Sequence, residues 1–322
     1  MTPAELSLIV QDAVRRAMDE GALKGAGPPS GITVGRPRAG GCGDWASNAA
    51  LRLAGPVGLP PLRVAEILRD RLAGVPGIER VDVTGPGFLN FTLGGGSGAS
   101  VVRAALAAGV GGGGGDGLRG SEVVLREPGE ARAAVVTEVV ARLLRGQGAR
   151  VEVRADRGER LRVVPADPDV RRYGADAVRW ALLRPAGRDR ALDPAPLLVQ
   201  TEANGLFTVR YAHARTRAVL GNAEALGVRA EPGEDGDARL LRALGDWPET
   251  LAGAARLRAP DRVARQLEAV ADAFLGFQHT VLPRGDEKPS AAHRARLALA
   301  EAAGTVLAGG LSLLGISAPV HL

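Results

Sequence analysis

Apolar residues recur every three to four positions along residues 3–19, with Leu6, Val10, Ala13 and Ala17 on one face and Gln11, Arg15 and Asp19 opposite. That spacing predicts an amphipathic helix. Residues 25–43 lose the period and fill with Gly and Pro, which predicts loop, or a short strand around Ile32–Val34. A helix from Asp44 to about Leu53 is expected next, with Asp44 as its cap. Another runs from about Pro61 to Leu72, where proline suits the first turn. Ile78–Val83 and Gly87–Leu93 read as paired strands around Thr84-Gly85-Pro86. Residues 1–98 are therefore expected to form a small α/β domain.

Gly94-Gly95-Gly96-Ser97-Gly98 and the run Gly111–Gly115 interrupt the pattern, and residues 99–120 read as a Gly-rich linker. A phosphate-cradling loop of the Walker type would end in Gly-Lys-Ser/Thr, and no lysine is present there. Within 121–166 a strand at Glu122–Leu125, a helix at Ala131–Leu144 and a strand at Val151–Arg154 make one βαβ unit, the minimum piece of a parallel sheet. Residues 167–322 are helical in pattern. One helix is expected over 169–184, and Phe207, Tyr211, Ala214 and Ala218 stripe a second. Val263, Leu267, Val270 and Phe274 stripe a third; Leu299, Ala303, Val306 and Leu311 stripe a fourth. Short polar loops between them predict an all-α bundle.

Composition adds two points to this outline. The 322 residues are 45% hydrophobic but only 3% aromatic, so the core must rest on Leu, Val and Ala. No apolar run approaches the roughly 20 residues of a membrane span, and the N-terminal helix carries charges where a secretory signal would have none. With Cys42 as the one cysteine, an internal disulfide is excluded, and a cytoplasmic protein with no membrane partner is expected. Net charge is +5, and of 41 basic residues only Lys24 and Lys288 are lysine. Residues 121–190 hold fifteen arginines against eleven acidic residues, so most of the excess lies mid-chain. Guanidinium forks match phosphate oxygens, although a GC-rich genome would give the same bias.

Three stretches carry a specific resemblance. Gly43-Asp44-Trp45-Ala46-Ser47-Asn48-Ala49-Ala50-Leu51-Arg52-Leu53-Ala54 with Gly85-Pro86-Gly87-Phe88-Leu89-Asn90-Phe91 resembles the N-terminal domain of arginyl-tRNA synthetases. Asp176-Ala177-Val178-Arg179, Asn204 and Tyr211-Ala212-His213-Ala214-Arg215 resemble their DALR-type anticodon-binding domain. His293 to Pro319, with Gly310-Leu311-Ser312-Leu313-Leu314-Gly315-Ile316, resembles the end of that domain. The resemblance implies an α/β tRNA-elbow domain, a βαβ remnant of a Rossmann-like catalytic domain, and an all-α DALR-type anticodon-binding domain.

The middle departs from the family. The interval is too short for a Rossmann-like catalytic domain of a few hundred residues. Where the family has His-x-Gly-His, this chain has Gly129-Glu130-Ala131-Arg132-Ala133-Ala134. The histidines are His213, His279, His293 and His321; none precedes residue 213, and neither lysine sits in a Lys-Met-Ser-Lys-like loop. Stabilising charge at an α-phosphate needs such positioned donors. Arg126 or Arg132 could hold a phosphate, but not replace the whole site. The expectation is a non-catalytic relative with no catalytic residues, no metal and ATP binding lost.

The parts that are left are expected to bind tRNA. By resemblance Phe88 and Asn90 lie on the sheet that faces the elbow, with a core Phe and a turn residue as the structural alternative. Arg210, His213 and Arg217 share a helical face predicted to lie opposite the Phe207 stripe, and Asn204 stands where it would cap that helix. Tyr211 is expected in the core rather than as a stacking platform. Asp176 and Arg179, one turn apart, are candidates for RNA contact or for pairing with each other. The family's Asn-Pro-x-Phe-Tyr-Val-Gln is here Asn204-Gly205-Leu206-Phe207-Thr208-Val209-Arg210, which loses a helix-starting proline and a tyrosine ring at 208. Two other functions compete: a protein-interaction subunit without RNA affinity, possessing a protein partner, and an arginine–tRNA ligase as in the parent family.

Overall fold

A computed structural model of the chain describes residues 3–24, 32, 34–37, 41–94, 97–109 and 115–322. These divide into two units, Met1–Val101 and Val102–Leu322.

The first unit begins with α1 (Pro3–Asp19), whose Leu6, Val10, Ala13 and Ala17 are all fully buried, as their spacing predicts. The sheet beyond it is antiparallel, in the order β1 (Val34–Gly35), β2 (Trp45–Ser47), β4 (Phe88–Leu93), β3 (Ile78–Thr84). Helices α2 (Ala49–Val57) and α3 (Pro61–Leu72) pack with α1 over a core that includes Trp45, Leu53, Leu68, Leu89 and Phe91. Asp44 does not cap a helix. Trp45–Ser47 is strand, α2 starts at Ala49, and the Asp44 carboxylate accepts from the Leu93 N–H at 2.9 Å, tying β2's entry to the end of β4. An aspartate one short strand ahead of a helix looks like a cap in sequence. Of the loop-or-strand expectation at 25–43, residues 25–31, 33 and 38–40 lie outside the described residues.

The expected linker is not all linker: Ser97–Ala108 is a helix, α4. Its Ala99, Val102 and Ala105 are buried, so an apolar stripe overrides the flanking glycines. Gly95, Gly96 and Gly111–Gly114 lie outside the described residues.

The second unit contains the βαβ motif as expected. Strands β5 (Glu122–Arg126) and β6 (Arg150–Arg154) pair in parallel around α5 (Ala131–Gly146). The segment at Glu159 bridges the other side of β5. The expected helix over 169–184 is two: α6 (Val170–Tyr173) and α7 (Ala175–Leu183), parted at Gly174 with φ 78° and ψ 155°. That conformation is open to glycine and ends a helix wherever it occurs. A 3-10 turn at Ala195–Leu198 leads to α8 (Gly205–Ala225). Then come α9 (Ala238–Gly245), α10 (Trp247–Leu257), α11 (Asp261–Phe277) and α12 (Ala291–Leu314). Helix α12 packs on α8 and α11, and α10 packs on both α11 and α5. The βαβ motif thus sits against the bundle. Helix α12 is long and apolar enough by composition to cross a bilayer, yet 72% of that apolar stretch is buried inside the unit, so it serves as the bundle's central helix.

A single side chain ties the βαβ motif to the chain that leaves it. Arg132, in the first turn of α5, is wholly buried. Its Nε donates to Leu182 O at 3.0 Å, and Nη1 donates to Val164 O and Asp189 O at 3.0 and 2.6 Å. Nη2 donates to Pro185 O and Ala186 O at 3.3 and 3.1 Å. A guanidinium has five N–H donors, and each has a carbonyl here. Replacing Arg132 with Met strands those carbonyls in the interior. Urea unfolding followed by circular dichroism should lose roughly 3–5 kcal/mol. Arg132→Lys should recover only part, because an ammonium cannot reach so many acceptors at once. A loss for Arg132→Met below about 1 kcal/mol, the size of an ordinary substitution, would remove this residue from its central place.

Candidate nucleic-acid interface

Four of the side chains selected from sequence meet at one feature, the segment after α12. The Asp176 carboxylate accepts from the Ser317 N–H at 3.1 Å and from the Ser317 hydroxyl. Arg179 Nε donates to Leu314 O at 2.8 Å, and its Nη1 reaches Glu138 Oε2 at 3.0 Å. Arg210 Nη2 donates to the Ser317 hydroxyl at 3.2 Å and lies 3.7 Å from Asp176. His213 Nδ1 bonds Pro319 O at 2.9 Å. Asp176 and Arg179 therefore do not pair with each other, and each grips the C-terminal strap. The strap turns at Gly315 (φ 70°), where an added Cβ would stand 2.6 Å from the Arg179 guanidinium carbon. Both the left-handed backbone and the close approach call for glycine.

The faces of α8 differ from expectation. Leu206, Val209, Ala212, His213, Thr216 and Val219 are buried, whereas Tyr211 is 37% exposed and Ala218 is exposed too. Arg210 and His213 turn to the strap, and only Arg217 of that predicted basic trio is exposed. Phe207 and Tyr211 stack on one another at 5.5 Å and 18°. Helix α8 packs against α11 and α12, and its buried side includes Leu206, Val209, Ala212, Thr216 and Val219 but not Tyr211.

Phe207 lines a groove of about 400 Å³ with Tyr173, Leu198, Asn204, Arg210 and Leu322, among others, and Tyr211 stacks on Phe207 outside that lining. Asn204 shapes it twice over. Its Oδ1 accepts from the Phe207 N–H at 3.1 Å, capping α8 as expected, and its Nδ2 donates to Leu197 O and Val199 O at 2.9 and 2.7 Å. Glycine stands at 205 because an added Cβ would collide with the Glu268 carboxylate, which is held by Arg184 Nε at 2.8 and 2.9 Å. Arg172 lies 5.0 Å from the Tyr173 ring centre, and Leu198 and Val199 are exposed beside it. Rings, a guanidinium and uncovered apolar surface on one rim suit unstacked bases. Sequence reasoning missed Arg172 and Tyr173 and expected Tyr211 in the core, where the structure leaves it exposed. The Arg171-Arg172-Tyr173 run, cations next to a ring, was the available signal.

A second groove, of about 760 Å³, lies in the first unit between Arg36, Asn48, Arg52, the Thr84–Pro86 turn, Phe88 and Asn90. Phe88 is half-buried on its wall. Asn90 is buried, and its Nδ2 donates to Thr84 Oγ1 at 2.7 Å and Phe88 O at 3.3 Å, which holds the turn. Arg36 stacks over the Trp45 ring at 4.0 Å.

The start of α5, where the family signature would lie, is filled from within the chain. The Glu130 carboxylate accepts from the N–H groups of Arg132 at 2.9 Å, Ala133 at 2.8 Å and Ala166 at 2.8 Å. Burial would raise its pKa, but those three backbone donors and the Arg132 charge outweigh it and hold the carboxyl below its usual range. Helix N-terminal N–H groups attract anions, and a side-chain anion already takes these. Arg132 faces away from any ligand into its five carbonyls, so it is not a phosphate cation. Among the described residues no group of three His, Cys, Asp or Glu is placed to hold a metal.

The strap has a pH dependence of known sign. Burial lowers the His213 pKa most, the Pro319 carbonyl raises it and the Arg217 charge lowers it; the net direction is down. Folding therefore favours the neutral ring. That stability is complete above the unfolded value of about 6.5 and is lost as pH falls below it towards the folded pKa. Urea midpoints should be level above that point and fall beneath it, and His213→Gln should flatten the slope. An unchanged slope in the variant would sink this assignment.

Comparison with known proteins places these features. Residues 4–93 match the arginyl tRNA synthetase N terminal domain, and residues 209–322 match the DALR anticodon binding domain. The arginine–tRNA ligase of Renibacterium salmoninarum is 26% identical in an alignment of 549 positions that spans all of both chains. That of Frankia alni is 44% identical over 162 residues, 46% of this chain and 29% of the relative. The 549 aligned positions far exceed the 322 residues here, so a long stretch of the Renibacterium protein lies opposite gaps. Thermus thermophilus arginyl-tRNA synthetase shares the fold with a TM-score of 0.68 at 13% identity, with both chains fully covered. By its two matched ends and its fold, the chain belongs to the arginyl-tRNA synthetase family and carries that family's N-terminal and DALR anticodon-binding domains.

Proposed function

We propose that this chain is a non-catalytic member of its family that binds tRNA. The observation that carries the reading is the aromatic rim of the second unit. Phe207 and Tyr173 line one groove; Tyr211, within the anticodon-binding match, stacks on Phe207, and Arg172 lies over the Tyr173 ring. Single-stranded bases bind to such surfaces by stacking, and stems by phosphate contacts with exposed arginines such as Arg171 and Arg217. The first-unit groove at Phe88 and Asn90 is the second tRNA surface in this reading.

The case against catalysis is chemical. An aminoacyl-adenylate requires ATP phosphates to be gripped by positioned donors. The start of α5 presents Glu130, whose charge would repel a phosphate, and spends its first N–H groups on that carboxylate. No histidine precedes His213. The reading includes the loss of ATP as a ligand. The departures at Gly205 and Thr208 further imply that arginine-tRNA specificity is relaxed. Thr208 Oγ1 is bonded back to Asn204 O at 3.1 Å and offers no ring.

Two measurements test the halves of this proposal separately. Fluorescence anisotropy with total tRNA should give an affinity that falls linearly with the logarithm of salt. Tyr211→Ala should weaken it by about tenfold, the worth of one stacked base, with folding unchanged because the ring is exposed. Absence of binding even at low salt would refute the RNA half and favour a protein-interaction subunit. Separately, purified protein with arginine, tRNA and magnesium-ATP should give no pyrophosphate exchange above the blank. Arginine-dependent exchange would overturn the non-catalytic half and leave the RNA half standing.

A further inference from the structure

The βαβ motif has an open side. Parallel strands are ordinarily buried in larger sheets, and a two-stranded ribbon is marginal. Here β5 is bounded on one side by β6 and on the other by the Glu159 segment, whereas β6, among the described residues, has a neighbour on one side only. The bonds from Arg150 N to Ser121 O and from Glu127 N to Arg154 O fix which groups face β5. Arg150, Glu152 and Arg154 direct their backbone inward, so Val151 and Val153 direct theirs to the open side. Among the described residues no backbone group pairs with Val151 or Val153 there; Val151 O accepts the Arg145 side chain at 2.9 Å. The Val153 side chain is 44% exposed.

We propose that this edge pairs antiparallel with the same edge of a second copy of the chain, about a two-fold axis through Val153. The sequence of the edge chooses that partner and that register. With Val153 opposite Val153, Glu152 stands opposite Arg154 of the other copy, twice by symmetry. Strand β6 ends at Arg154, so the paired stretch is residues 152–154, in which both charged pairs are opposite in sign and the central pair is apolar. Centring on Glu152 instead would set Glu152 against Glu152 and Arg150 against Arg154, all repulsive. Both strands of the favoured register place Val153 as a hydrogen-bonded pair, which is the pair whose N–H and C=O are open. The result is a continuous four-stranded sheet, β5-β6-β6-β5. Glu152 and Arg154, 58% and 50% exposed, pair with each other along the strand at 2.8 Å, and across the axis each can meet the opposite charge of the other copy as well. A strand edge alone buries little area, so the association is weak and reversible. It does not depend on whether the chain binds tRNA.

Sedimentation equilibrium of the full chain across a concentration series tests this. The wild type should dimerise reversibly in the micromolar range. Glu152→Arg and Arg154→Glu should each weaken self-association by about tenfold or more, because two attractions become two repulsions. Mixing the two variants should restore dimers, since one copy is then basic at both positions and the other acidic at both, and opposite charges meet twice across the axis. The double variant should dimerise alone, because exchanging the two charges leaves each pair opposite in sign. A wild type that stays monomeric at tens of micromolar overturns the proposal. So does a mixture that associates no better than its components, with circular dichroism confirming that both fold.

Discussion

The second unit is organised around a cation whose side-chain hydrogen bonds all go to backbone carbonyls. Arg132 gives its five donors to carbonyls from Val164, Leu182, Pro185, Ala186 and Asp189, so the charge is solvated by backbone dipoles in place of water. Those carbonyls come from the segment that leaves the βαβ motif, from the end of α7 and from the loop beyond it. Buried irregular chain is costly unless its polar groups are met. The guanidinium is thus what allows that chain to be interior. Once it is fixed, α5 is fixed, and with it the side chain two residues earlier. Glu130 then closes the helix start from outside while Arg132 closes it from inside, so one turn of helix has become a structural joint.

That joint lies where the sequence resemblance puts the family's signature motif. A helix start offers N–H donors and a positive end, and these can serve a phosphate or a carboxylate equally well. Glu130 supplies the carboxylate with no ordering of a separate ligand. In the non-catalytic reading proposed above, that carboxylate stands where a phosphate would otherwise bind.

Much of the fold was readable from apolar period. The helices over α1, α3, α5, α11 and α12 and the strands β3 to β6 fell where spacing put them, because each has one buried face. Helix α8 defeated the method. It packs on both α11 and α12, and the side it buries carries Leu206, Val209, Ala212 and Val219, which leaves Phe207 half-buried and Tyr211 exposed. Rules that send aromatics inward choose the wrong side of such a helix. The polar residues failed for a different reason: Asp176, Arg179, Arg210 and His213 are spent on a strap more than a hundred residues away, and no local pattern announces a long-range partner. Asn204 was legible because capping is local.

The strap also changes what the recognition residues can mean. Leu322 lines the same groove as Phe207 and Arg210, and the strap that leads to it is held by Asp176 and His213. Those residues act on the groove by shaping it. Four arginines of the mid-chain stretch already have carboxylate partners: Arg142 and Arg179 share Glu138, Arg154 pairs with Glu152, and Arg184 with Glu268 from α11. An arginine bound to a carboxylate contributes little net field at a phosphate, whatever the isoelectric point. Counterion release counts only phosphates that are neutralised, so the salt dependence of binding should reflect the few exposed guanidinium groups that meet phosphate, with Arg171, Arg172 and Arg217 as candidates by exposure, and not the 41 basic residues of the composition.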